Sequence, residues 1–384
     1  MPSRRSFLTG LGAAILARAG EANKVTIIKT PQGGVQPQAA VDEQGAIHLV
    51  YLYGDPGAAD IGYARKDAGA DSFSKSIRVN SEPGSAIAVG TVRGARLALG
   101  RGGQVHVAWN GSSKTAPKAP GNSVPMLYSR LAGDGRSFEA ERNLMQSTSG
   151  LDGGGTIAAD ASGNVYTVWH GQHMVNGKPD SGEDKRRVYL AQSRDGGATF
   201  EAERPISPAS TGACGCCGMA ALANRSGEVF VMYRTAREIV HRDMNLLTSG
   251  DRGKSFRSFD LQGWQIGGCP MSTSSFTDVD GRVLAAWETN NQVYFASVTR
   301  AGSVLPIGAP GVGRDRKHPA IAANASGETL MAWTDGTGWK RGGTLNWALF
   351  KNGSVISSAS DAAAVPVWGL PEAIASGNRF VVIC

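Results

Sequence analysis

The sequence predicts an all-β chain built as a ring of four-stranded sheets, and three observations carry that prediction. A glycine followed six residues later by a large apolar residue recurs along the chain: Gly45 to Tyr51, Gly103 to Trp109, Gly163 to Trp169, Gly227 to Tyr233, Gly281 to Trp287, Gly327 to Trp333 and Gly377 to Ile383. A second pattern, S-x-D-x-G-x-[ST]-F, appears at Ser193 to Phe200 and again at Ser249 to Phe256. Finally, 52 glycines with 7% aromatic residues indicate many turns, while 41% hydrophobic residues suffice for a buried core, which excludes a disordered chain and a coiled coil.

The spacings between the repeated glycines are 58, 60, 64, 54, 46 and 50 residues. Short small-apolar runs precede each glycine, such as Ile157-Ala158-Ala159 and Ile321-Ala322-Ala323, and stretches such as Val105-His106-Val107-Ala108 follow it. Each unit therefore reads as a strand, a tight glycine turn, a second strand and one or two more strands. A period near 50 with four short strands per unit marks a β-propeller blade.

In the S-x-D-x-G-x-[ST]-F turns the Asp carboxylate can accept backbone N–H bonds across the turn, glycine permits positive φ, and the aromatic is expected to plug the gap between adjacent strands. Asp134 to Phe138 is the same pattern one residue short, and Asp67 to Phe73 is one residue long. These turns resemble the Asp box, or BNR repeat, of the sialidase superfamily, and with the glycine repeat the resemblance covers essentially the whole chain after its leader. It implies a single sialidase-like β-propeller over residues 20–384. Six complete units precede a seventh of two strands, and the strand Lys24 to Lys29 has no unit of its own. Closing the ring with that strand leaves no open sheet edge, so seven blades are preferred, with the six of sialidases as the alternative.

In such a ring the loops entering each first strand and those leaving each second strand share one mouth of the channel. Asp152, Cys214 to Cys217, Cys269, Arg314 to His318 and Trp368 fall in the first set, and Asp55, His170, His173, Arg234, Glu288 and Asp335 in the second. Ligand sites form where such loops converge on a rigid scaffold, so a small-molecule or glycan ligand is expected there.

Three of the five cysteines lie within four positions, Cys214-Gly-Cys216-Cys217, before blade four, and Cys269 precedes blade five. A disulfide between one of the cluster and Cys269 is one reading. A soft-metal site is the second, formed by Cys214, Cys216, Cys217 and Cys269 with His170 and His173, with Met219 and Met271 as further candidate ligands. Thiolate and thioether favour copper(I), whereas thiolate with imidazole also suits zinc, the lesser choice. A redox dithiol is the third. Cys384, flanked by apolar residues, reads as an inert strand residue.

The resemblance also implies a chemistry: sialidases grip a sialic acid carboxylate with three arginines and use an acid and a Tyr with a Glu. Tyr233, Arg234 and Arg316 stand at plausible mouth positions for such catalytic roles. The Arg-Ile-Pro motif that supplies the family's first arginine is absent, its nearest counterpart being Val35-Gln36-Pro37-Gln38. The alternatives to a metal centre are thus a sialidase-like glycoside hydrolase with an altered site and a non-catalytic binding propeller with structural disulfides. The run Arg314-Asp-Arg-Lys-His318 could clamp an anion or form a solvated turn, and Arg242-Asp243 reads as a cross-strand ion pair.

Residues 1–19 read as an export peptide: paired Arg4 and Arg5 before Ser-Phe-Leu, an apolar run from Leu8 to Ala17, and a small-x-small end at Ala17-Arg18-Ala19. The arginine pair resembles a twin-arginine signal, which implies export of a folded protein to the periplasm or beyond. Formal charge is +7, and removing the three leader arginines leaves +4, too thin for a nucleic-acid stripe. No segment outside the leader is apolar enough to span a bilayer, so an exported monomer without a membrane span or nucleic-acid partner is expected.

Overall fold

The seven repeated glycines are the turns on which the backbone pivots. Gly45, Gly103, Gly163, Gly227, Gly281, Gly327 and Gly377 all have positive φ, between 58° and 92°, a region where a side chain is strained. In five of these turns an Asx residue three positions earlier caps the turn, Asp278 by accepting the Gly281 amide. Asp42 Oδ1 accepts the Gln44 and Ala46 amides, Asp160 Oδ1 those of Ser162 and Asn164, and Asn224 and Asn324 the amides four residues on. Six residues past each glycine, the large side chain is at most 3% exposed. The turn thus fixes register, and the aromatic anchors the second strand between blades.

The structure, a computed structural model, describes residues 24–302 and 305–384; the leader expected at residues 1–19 lies outside them. Six antiparallel sheets of at least four strands follow in chain order, each running from the axis outward. Their first strands are Val35–Val41, Arg96–Leu99, Thr156–Ala159, Ala220–Ala223, Ser275–Val279 and Lys317–Ala323. The seventh sheet joins Glu372–Ser376 to Arg379–Ile383, and the latter pairs in parallel with Val25–Ile28. Each first strand packs on the next, and Glu372–Ser376 returns to Val35–Val41, closing a ring of seven blades. The expected role of the orphan strand near residue 24 is borne out. Its amides and carbonyls engage those of Phe380 and Cys384, and Cys384 sits half-buried at this seam with its thiol pushed up by burial.

The S-x-D-x-G-x-[ST]-F turns dock each blade on the one before. Asp195 accepts bonds from the Thr199 hydroxyl (2.6 Å) and amide (2.9 Å), and Phe200 meets Tyr128 of blade two edge-on at 4.7 Å. Asp251 repeats the arrangement with Ser255, and Phe256 packs into the core between blades three and four. The aromatic therefore seals the seam between blades rather than between strands of one sheet.

The Thr199 bonds pull the Asp195 carboxyl down to about 2. A depressed carboxyl stabilises the fold fully above its unfolded value of ~3.9 and loses that contribution as pH falls toward ~2. Asp195→Asn is therefore expected to lower stability at neutral pH and to flatten the pH dependence between about pH 4 and 2, measured by urea unfolding across that range.

Candidate metal centre at the channel mouth

Blade three has the longest second strand, Val165–Val175, and its far end is extended by Thr148–Ser149 on one side and Lys178–Pro179 on the other. This ladder corrects the expectation that the two histidines share a loop. On a strand, residues three apart face opposite sides. His170 is 1% exposed, whereas His173 points to solvent beside Asp180 and Asp184. Only His170 belongs to the mouth.

The cysteine loop descends from this point toward the first strand of blade four. Cys214 Sγ lies 3.3 Å from Cys217 Sγ and 3.4 Å from Cys216 Sγ, and the three sulfurs lie within 4.8 Å of one another. All five cysteines are free thiols. Cys214 and Cys217 are buried, and Cys216 is the half-exposed member through which solvent reaches the group. The loop is held by its backbone: Cys214 donates to the Arg234 carbonyl (2.8 Å) and Gly218 to the Ser272 carbonyl (2.9 Å). Gly153 donates to the Gly215 carbonyl at 2.5 Å, and a Cβ on Gly153 would stand 2.7 Å from the Cys217 carbonyl oxygen. A glycine is required there by this close approach.

The Ser272 contact confirms that the loops entering blades four and five lie side by side. Cys269, however, is exposed and outside the thiol group. It precedes buried Pro270, so the chain turns inward after the cysteine and carries Ser272 and Thr273, not the thiol, to the cluster. The two methionines near these loops divide likewise: Met219 packs into the apolar seam between blades three and four, and Met271 is half-buried.

Charged side chains surround the sulfurs. Arg234 and Glu288, both buried, approach to 3.7 Å, and the Arg234 guanidinium lies 4.9 Å over the Trp264 ring. Arg242 pairs with Glu183 at 2.5 Å, and Arg186 stands 3.7 Å from the same Glu183. Arg93 pairs with Asp152 at 2.5 Å. The anticipated Arg242–Asp243 pair is replaced: Asp243 pairs with Arg237 instead, because successive residues point to opposite faces. Four guanidinium groups thus face three carboxylates, and buried Arg242 Nε and Nη1 have no hydrogen-bond partner. A surplus of positive charge favours thiolate over thiol. The Cys214 and Cys216 S–H groups, together with the Arg234 charge, hold the Cys217 thiol well below the usual range, whereas the other two are pushed up.

Two buried imidazoles lie within electrostatic range of Cys217, outside the group of three sulfurs. Both ring nitrogens of His170 lack a hydrogen-bond partner, and burial with the Arg186 charge pushes its pKa down to about 4, which keeps the ring neutral. His318, which sequence reasoning placed in a basic turn, is 2% exposed, and burial pushes it down to about 3. Its Nδ1 lies 3.3 Å from Thr273 Oγ1. The rest of that turn is structural. Lys317 reaches the Pro270 carbonyl, and Arg316 binds Gln292 Oε1 and the Ala309 and Pro310 carbonyls over Trp333. Tyr233 lies on the face of its strand opposite Arg234 and donates to Thr211 Oγ1 (2.8 Å) in the seam between blades three and four. Of the residues considered for catalysis, Arg234 alone stands beside the thiols.

The chain matches no protein-family profile, and no curated protein matches it. Among solved structures it is similar to Trypanosoma rangeli sialidase bound to 2,3-difluorosialic acid, with 14% identity over 82% of this chain and 55% of that one at a TM-score of 0.52. It is also similar to the NanB sialidase of Streptococcus pneumoniae, with 11% identity over 79% of this chain and 65% of that one, also at 0.52. The chain therefore spans between about half and two thirds of the length of these proteins. At such identities the likeness is one of fold: this is a seven-bladed, sialidase-like β-propeller. Fold leaves the reaction open, because chemistry belongs to the site.

Burial orders the reactivity of the thiols. Ellman's reagent on the native reduced protein is expected to modify Cys269 in a fast phase that Cys269→Ser abolishes, with Cys214 and Cys217 reacting at least about tenfold more slowly until urea is added.

Proposed function

We propose that this chain is an exported β-propeller of the Asp-box type whose mouth binds a soft metal ion, copper(I) before zinc, for metal handling or redox chemistry. The observation that carries this reading is the mutual approach of the Cys214, Cys216 and Cys217 sulfurs. Buried His170, outside that group but within electrostatic range of Cys217, has neutral, unpartnered ring nitrogens and would have to move to ligate. The donor set fits the ion. Thiolates around one ion at ~2.3 Å stand about 3.8 Å apart, so separations of 3.3 and 3.4 Å call for small side-chain adjustments. Soft sulfur selects copper(I), and a neutral imidazole is the form that ligates.

Bound there, the ion would supply soft Lewis acidity or a one-electron couple. The protein's own residues do the rest. Arg234 and Arg242 stabilise charge on the sulfurs, the Gly153 backbone holds the loop closed, and half-exposed Cys216 provides the entry. The twin-arginine resemblance of the leader supports a periplasmic or secreted location, since that route carries folded proteins. Sialoside hydrolysis gains no comparable support, because the Tyr233 hydroxyl and the Arg316 guanidinium are engaged in seams between blades.

Titration of the reduced, metal-free protein with copper(I) against a chromogenic copper(I) chelator tests the reading. One equivalent is expected to bind, Cys216→Ser and Cys217→Ser each to weaken it at least about a hundredfold, and His170→Gln about tenfold. Equal competition by wild type and the Cys216/Cys217 double variant would overturn it, and retention of zinc in preference to copper would change the metal while keeping the centre.

A further inference from the structure

Beneath the thiol cluster the first residues of the inner strands enclose a small axial pocket of about 80 Å³, larger than the ~10–15 Å³ that one water-sized occupant needs. Its wall carries two ionisable groups, Arg96 of blade two and Glu372 of blade seven, among hydroxyls that include Ser274. Alternation along the strand turns Leu97 into the core between blades one and two and Arg96 toward the axis. Arg96 is 8% exposed, and its Nε has no hydrogen-bond partner. Ser274 is 4% exposed, and its hydroxyl is also unpartnered. Among the described residues no salt bridge joins Arg96 to Glu372. A guanidinium taken out of water without a counter-charge is costly, and most buried polar groups find partners.

We propose that this pocket binds a small inorganic monoanion of the halide class, held by the Arg96 guanidinium with the Ser274 hydroxyl as a second donor. The balance of charge agrees. Burial pushes Glu372 up to about 8, against the pull of Arg96, which weakens it as a counter-charge to the guanidinium. Arg96 is the wall's one basic side chain, although burial lowers its pKa as well, against the pull of Glu372. A single guanidinium in so small a space suits a monoanion better than phosphate or sulfate, which need several donors. The site is independent of the metal centre above it and stands whether or not a metal binds there.

Crystals of the wild-type protein grown in sodium bromide and measured at the bromine absorption edge test the proposal. An anomalous peak in contact with the Arg96 guanidinium is expected, retained in Glu372→Gln and lost in Arg96→Met. Should the Arg96 variant fail to fold, the wild type and Glu372→Gln still decide. Density at Arg96 without anomalous signal would mean water and overturn the proposal. A peak confined to Glu372→Gln would also overturn it, since Glu372 would then be the counter-charge.

Discussion

The structure depends on one backbone constraint, the left-handed glycine between the first and second strand of every blade. Because each of these seven residues has positive φ, the hairpin turns back in a fixed register, and the large side chain six positions on is delivered to the seam with the neighbouring blade. Side chains at these seams hold the ring more than any single sheet does: Trp109, Trp169 and Trp287 are essentially sealed from solvent. Burying each such ring contributes on the order of 3 kcal/mol. The Phe residues of the S-x-D-x-G-x-[ST]-F turns close the same seams at the outer rim. The parallel pairing of Val25–Ile28 with Arg379–Ile383 extends the last blade so that the ring shuts on itself.

That rigid ring explains how reactive groups survive burial at its mouth. The thiols, Arg234, Glu288 and His170 come from loops and strand ends of three blades, and the sheets below them set their separations. Ion pairs so deeply buried add little to stability on their own, because desolvation offsets attraction. Their effect is local: a positive surplus lies against sulfur, and the two nearby imidazoles are held neutral. Electrostatics of this kind suit a site that gathers soft, anionic ligands around one point.

Much of this was legible in the sequence, and what was not has physical reasons. The glycine period announced the blades, and the orphan strand near residue 24 announced their number. The proximity of the cysteine loop to the loop before blade five followed from topology alone. Topology places loops, however, and not the side chains on them, so Cys269 ended three residues short of the cluster. His170 and His173 were separated by an extension of the blade-three ladder, which no local signal near Trp169 reveals. Glu183 and Arg242 lie 59 residues apart and meet only in the folded ring. His318 was hidden in a run whose other charges suggested solvent. A signal that was available and informative is the Asx residue three positions before several of the repeated glycines.

The thiol trio occupies four consecutive positions of one loop, whereas its charged surroundings come from distant blades. Gathering three sulfurs from so short a segment costs little chain-closure entropy, so a cation bound as proposed could be captured by the loop while the remaining blades are still unassembled. Completion of the ring then sets that loop against Gly153 and the loop before blade five, which would make release of such an ion slower than its capture. The order of assembly, rather than affinity alone, would decide which ion the finished molecule carries.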